Sequence, residues 1–72
     1  MKNYQIQIAV GGDTHVTWSN RGTIRGKSMS AMLRRAYYMC FTGNFDAHPQ
    51  RENILFHNKY NEMPVLQLVE IN

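Results

Sequence analysis

The sequence predicts an α+β fold, a two-layer sandwich with one helix packed on an antiparallel sheet of four to five strands in the order ββ(β)αββ. Three observations predict it. Tyr4 to Val10 alternates apolar and polar residues with period two, as a strand with one buried and one wet face does, and the end of the chain carries further strand-like apolar runs. The middle, about 28–42, carries one apolar stripe at helical spacing. Turn residues separate these segments. At 72 residues the chain makes a single small domain, 1–72.

In Tyr4-Gln5-Ile6-Gln7-Ile8-Ala9-Val10 the residues Tyr4, Ile6, Ile8 and Val10 point one way and Gln5, Gln7 and Ala9 the other. Gly11-Gly12-Asp13 then supplies residues that tolerate the positive φ of a tight hairpin. A second strand follows over His15–Ser19, with Val16 and Trp18 expected in the core and Thr17 outward. Asn20-Arg21-Gly22 reads as a further turn. Thr23-Ile24-Arg25 reads as a short third strand with Ile24 buried, ended by Gly26.

Ser28 suits a helix N-cap, because its hydroxyl can accept from the free amides of the first turn. Met29, Met32, Leu33, Ala36, Tyr37, Cys40 and Phe41 form the stripe facing the sheet. Ser30, Arg34, Arg35 and Tyr38 lie off it. Gly43 is placed to end the helix in the left-handed conformation. Fifteen residues would make a rod of about 22 Å. Phe45–Glu52 reads as a loop, since Pro49 disfavours helix at His48. Asn53–His57 and Met63–Ile71 read as strands joined by a turn at Asn58–Asn61, with Pro64 tolerable near a strand start. The last strand is apolar on both sides: Val65, Val69 and Ile71 share a face with Gln67, while Leu66 and Leu68 share the other with Glu70. Such a strand calls for cover on both faces. One helix covers one, so the second face is expected to meet another copy, a partner, or long side chains folding over it.

A domain this small is marginal without a staple or self-association. The single cysteine allows no internal disulfide and suits a reducing, cytoplasmic setting. Cys40, His48 and His57 lack zinc-ligand spacing, and no metal or cofactor is expected. No apolar run is long enough to span a membrane. The N-terminus lacks the apolar core of a signal peptide.

The net charge of +3 is modest, but its placement is not even. Between Thr14 and Phe45 lie five basic residues, Arg21, Arg25, Lys27, Arg34 and Arg35, and no acidic one. This points to a phosphate-bearing ligand, nucleic acid first, or to an acidic protein surface. The bland reading is a solvated face that keeps a small domain soluble. Gly26-Lys27-Ser28 resembles the end of a phosphate-binding P-loop. That motif needs four residues between its glycines, and only Thr23, Ile24 and Arg25 separate Gly22 from Gly26. The chain is also too short for the parallel sheet that feeds such a loop. What remains is a helix N-terminus that favours anions beside several cations. Tyr38 adjoins Arg34 and Arg35 and is the best exposed platform for stacking a base. Contact of all five cations with phosphates would bring the log-affinity slope against log-salt to roughly −4.5.

Catalysis is not expected. Cys40 sits on the apolar stripe, where a free cysteine packs as a small hydrophobe. The histidines have no tie to it in sequence, and the carboxylates do not pair. The expected function is a non-enzymatic binder of nucleic acid or another phosphate-rich ligand, through Arg21, Arg25, Lys27, Ser28, Arg34, Arg35 and Tyr38. The alternative is a protein-interaction module or inhibitor using the second sheet face, as a homodimer or with a partner, or a sheet edge. The one-helix layout is similar in general outline to many small virus-encoded inhibitor proteins, including some anti-CRISPR proteins. That resemblance implies inhibition of a host protein.

Overall fold

The computed structural model describes residues 1–11 and 15–71. The alternating first segment becomes strand β1 (Lys2–Val10), and the last segment, apolar on both sides, becomes β5 (Asn61–Ile71). Between them run β2 (Thr17–Gly26), helix α1 (Met29–Cys40), a 3-10 turn (Phe45–Ala47), β3 (Gln50–Arg51) and β4 (Ile54–Asn58). All pairings are antiparallel, in the order β2-β1-β5-β4-β3. This is the expected α+β layering of one helix on a five-stranded sheet. The turn expected at Gly11-Gly12-Asp13 falls largely outside the described residues. Among those residues no helix is long and apolar enough to cross a membrane.

The core lies between α1 and one sheet face. Ile6, Ile8, Leu55, Leu66 and Leu68 come up from the sheet to meet Met32, Leu33, Ala36 and Tyr37 of the helix. Burying each large aliphatic contributes about 1.5–3 kcal/mol, so this layer is what holds the fold.

The strand count is as expected, but one strand lies elsewhere. Asn20-Arg21-Gly22 is not a turn, and Thr23–Arg25 is not a separate strand. Both belong to the ten-residue β2. Gln5 pairs with Thr23 while Gln7 pairs with Asn20, so Ile6 alone opposes Arg21 and Gly22. This is a β-bulge. Gly22 takes φ 110° there, where a side chain would be strained. The Gln5 amide donates to the Gly22 carbonyl at 2.7 Å and ties the bulge to β1. The fifth strand is instead β3, inside the segment expected to be a loop.

The bulge has a consequence for side chains. Residues opposite one another in an antiparallel pair share a face. Ile24 lies opposite Tyr4 and reaches the core, whereas Trp18 lies opposite Ala9 and faces away from the helix. Trp18 and Ile24 are six apart and would share a face on a regular strand. The extra residue reverses the phase between them. Trp18 is therefore not a core residue, and Val16 is 43% exposed, contrary to the expectation for both.

The helix is shorter than expected. It ends at Cys40, with Phe41 already extended at φ −134°, ψ 159°. The Phe41 ring stacks on Tyr37 at 5.2 Å, and the Tyr37 hydroxyl donates to the Thr42 carbonyl at 3.2 Å. These contacts pull the chain out of the helix before Gly43, which does take a positive φ of 112°.

The helix-free face carries an amide ladder across three strands. The Gln67 amide donates to Gln7 at 2.7 Å, and the Gln7 amide donates to Asn20 at 2.9 Å. Val69 and Ile71 sit on this face opposite Gln5 and Asn3, and Ile54 lies opposite Gln67. Val65 departs from the expected face. A register shift between Leu55 and Phe56 lets it pack against the core.

Candidate nucleic-acid interface

Residues 34, 35, 38 and 39 lie on the outer flank of α1, one turn apart, and overhang the edge strand β2. With Ile24 they line a shallow apolar cleft of about 450 Å³. Tyr38 is 53% exposed and Met39 61% exposed. The Tyr38 ring is held by an edge-to-face contact with Tyr37 at 5.5 Å and by the tilted ring of Phe45 at 6.3 Å. The cleft lining is thus almost wholly apolar, and Arg34 and Arg35 contribute to it.

Both arginines are oriented by neighbours. Arg35 donates to the Arg25 carbonyl at 3.0 Å, which anchors the side chain between helix and sheet. A guanidinium has five N–H donors, so one such bond leaves capacity for a ligand. Arg34 stacks its guanidinium on Phe45 at 4.7 Å and lies 3.7 Å from Asp46. With both side chains of that pair more than half exposed, it is worth at most about 1 kcal/mol and is displaceable by a phosphate. Asp46 stands just beyond the acid-free window in sequence, and the 3-10 turn folds it back onto the basic edge.

The structure brings Arg34, Arg35 and Tyr38 together and separates the other expected residues. Arg21 lines a different depression with Ile8, Met39 and Cys40, touching the cleft only through Met39. Arg25 gives its carbonyl to Arg35, while strand alternation from Ile24 sends its side chain to the helix-free face. Lys27 is exposed beside the helix start. Ser28 acts as a cap: its Oγ accepts from the Ala31 amide at 3.3 Å. The single basic edge expected from Arg21 to Arg35 is therefore divided: Arg34 and Arg35 meet at the cleft, while Arg21, Arg25 and Lys27 lie apart from it.

Ile24, Met39 and Phe45 were not among the expected site residues. Met39 carried the only available signal, being an apolar residue off the helical stripe. Cys40 is half-buried, and burial pushes its thiol pKa up, opposed in part by the nearby Arg21 guanidinium. A thiol so disposed is a poor nucleophile. His48 is engaged in packing, with one ring nitrogen 3.2 Å from the Tyr37 hydroxyl and the other 3.3 Å from the Phe56 carbonyl.

Fold and site together define a small one-helix α+β sandwich with a cationic, aromatic cleft at its edge. Comparison with protein families, with curated proteins and with solved structures finds no match for the chain.

Proposed function

We propose that this protein is a non-enzymatic binder of nucleic acid or another phosphate-rich ligand, working in the cytoplasm through the outer flank of α1. The observation that supports this is the juxtaposition of Arg34, Arg35 and Tyr38 around one apolar cleft. Guanidinium forks match phosphate oxygens, and an exposed ring between them offers a stacking surface. Lys27, Arg21 and Arg25 add to the positive field of the domain.

A mobility-shift titration at rising salt tests the proposal. Binding is expected at low salt and should weaken as salt rises, by about 0.9 in log-affinity per log-salt for each phosphate contacted on a duplex. The pair Arg34→Glu with Arg35→Glu should abolish binding while circular dichroism shows the fold kept. No shift at low salt and high protein concentration would sink the proposal.

A second reading, a homodimer through the helix-free sheet face, is favoured by a different observation. That face leaves Val69 and Ile71 each more than a third exposed, with Trp18 half-buried opposite Ala9. Sedimentation velocity of wild type against Val69→Glu tests it. A dimer that the substitution dissociates supports it, and a monomer at high concentration counts it out. The two readings are compatible, because the cleft and this face lie on different sides of the sheet.

A further inference from the structure

We propose that the cleft selects single-stranded over double-stranded nucleic acid, by stacking an unpaired base on Tyr38 between Arg34 and Arg35. This rests on the reading of the protein as a nucleic-acid binder and narrows it to a ligand class.

The cleft joins an apolar lining to two cationic side chains. A site for phosphate alone needs cations and N–H donors, and it gains nothing from an apolar lining. Here Ile24, Met39 and Tyr38 make an apolar lining, and charge enters only with Arg34 and Arg35. A duplex keeps its bases stacked within and presents phosphates and groove edges. Laid across this cleft, it would leave the apolar lining against polar backbone, and desolvating that backbone carries a cost. A single strand presents both parts: a base with an apolar face for the lining, and phosphates on either side for the two guanidinium groups.

The two supports of the site also fit. The Tyr38 ring is braced from behind by Tyr37 and Phe45, so little ordering is needed when a base arrives. Arg35 is braced by the Arg25 carbonyl, and Arg34 sits over the Phe45 ring.

An acidic peptide added as a strand to the free edge of β2 fits less well. The Arg25 carbonyl is already occupied by Arg35, and the bulge at Arg21 and Gly22 interrupts the edge. Both features blunt an edge against strand addition.

The test is fluorescence anisotropy with labelled 15-mers of oligothymidylate and oligouridylate, and with a duplex of the same length, on wild type, Tyr38→Ala, Tyr38→Phe and Arg34→Ala. Either single strand should bind at least about 10-fold more tightly than the duplex. Tyr38→Ala should weaken single-strand binding by about 5- to 150-fold, the range for one lost base stack. Tyr38→Phe should retain it. The salt slope should stay unchanged in Tyr38→Ala but become shallower by about 0.7 in Arg34→Ala, since only the arginine contacts phosphate.

Equal binding of strand and duplex, or no effect of Tyr38→Ala, would overturn the inference while leaving the broader function standing. Displacement of the strand by polyglutamate at equal charge would also overturn it, because the cleft would then be a general polyanion site. Failure of every oligonucleotide to bind would remove the inference and the nucleic-acid reading it rests on together.

Discussion

Replacing Gly26 with alanine is expected to destabilise the domain through crowding, and the structure sets the scale. Gly26 ends β2 beneath the first half of α1, opposite Lys2. A Cβ there would stand 2.8 Å from Met32 Cγ, 3.0 Å from Met32 Sδ and 3.0 Å from the outer Arg35 nitrogen. Ordinary carbon contacts begin near 3.4 Å. The arginine can swing away, but Met32 is 1% exposed and has no free space to take. Overpacking of this kind costs about 1–3 kcal/mol. A 72-residue domain has roughly 4–11 kcal/mol of total stability, so the loss is large. It should lower Tm by about 4–8 °C for each kcal/mol. Urea denaturation of wild type, Gly26→Ala, Met32→Ala and the double variant measures it. The double variant should be less destabilised than the sum of the singles by more than about 0.5 kcal/mol, since the added methyl enters space the methionine has left. A Gly26→Ala change within about 0.5 kcal/mol of wild type, or strict additivity, would refute the reasoning.

Two further outcomes follow from contacts behind the cleft. Tyr37→Phe removes the hydroxyl that meets both the Thr42 carbonyl and His48, and should cost about 1–2 kcal/mol by urea denaturation, with the greatest loss of amide-exchange protection in residues 41–48. At Cys40 burial raises the folded-state thiol pKa above that of an ordinary cysteine. A raised thiol pKa means the folded state holds its proton longer than the unfolded chain does. That contribution is present below the unfolded pKa and is lost as pH rises through it toward the folded value. Melting curves between pH 7 and 10 should therefore show a steeper alkaline loss in wild type than in Cys40→Ala, and parallel losses would contradict this account.

Much of the fold was legible because its signals are local. Tyr4 to Val10 alternates by residue type, Met29 to Cys40 repeats at helical spacing, and Ser28 announces a cap that its hydroxyl does make. What could not be read was phase. The sequence of Asn20-Arg21-Gly22 suits a turn or a bulge equally, and the choice depends on whether β1 continues to pair beyond it. The short Gln50-Arg51 pairing depends in the same way on β4 lying alongside.

The same division runs through the candidate site. The sequence by itself determined the layering of one helix on an antiparallel sheet, the five cations free of acids between Thr14 and Phe45, and the place of Tyr38 beside Arg34 and Arg35 on a helix flank. Periodicity and composition carry such facts along the chain. Only the tertiary structure decided that Ile24 and Met39 line one cleft with those three residues, that Asp46 folds back onto Arg34, and that Trp18 leaves the core for the open face. Each of these depends on a register between segments distant in sequence, and one bulged residue was enough to reverse which side of the sheet a tryptophan occupies.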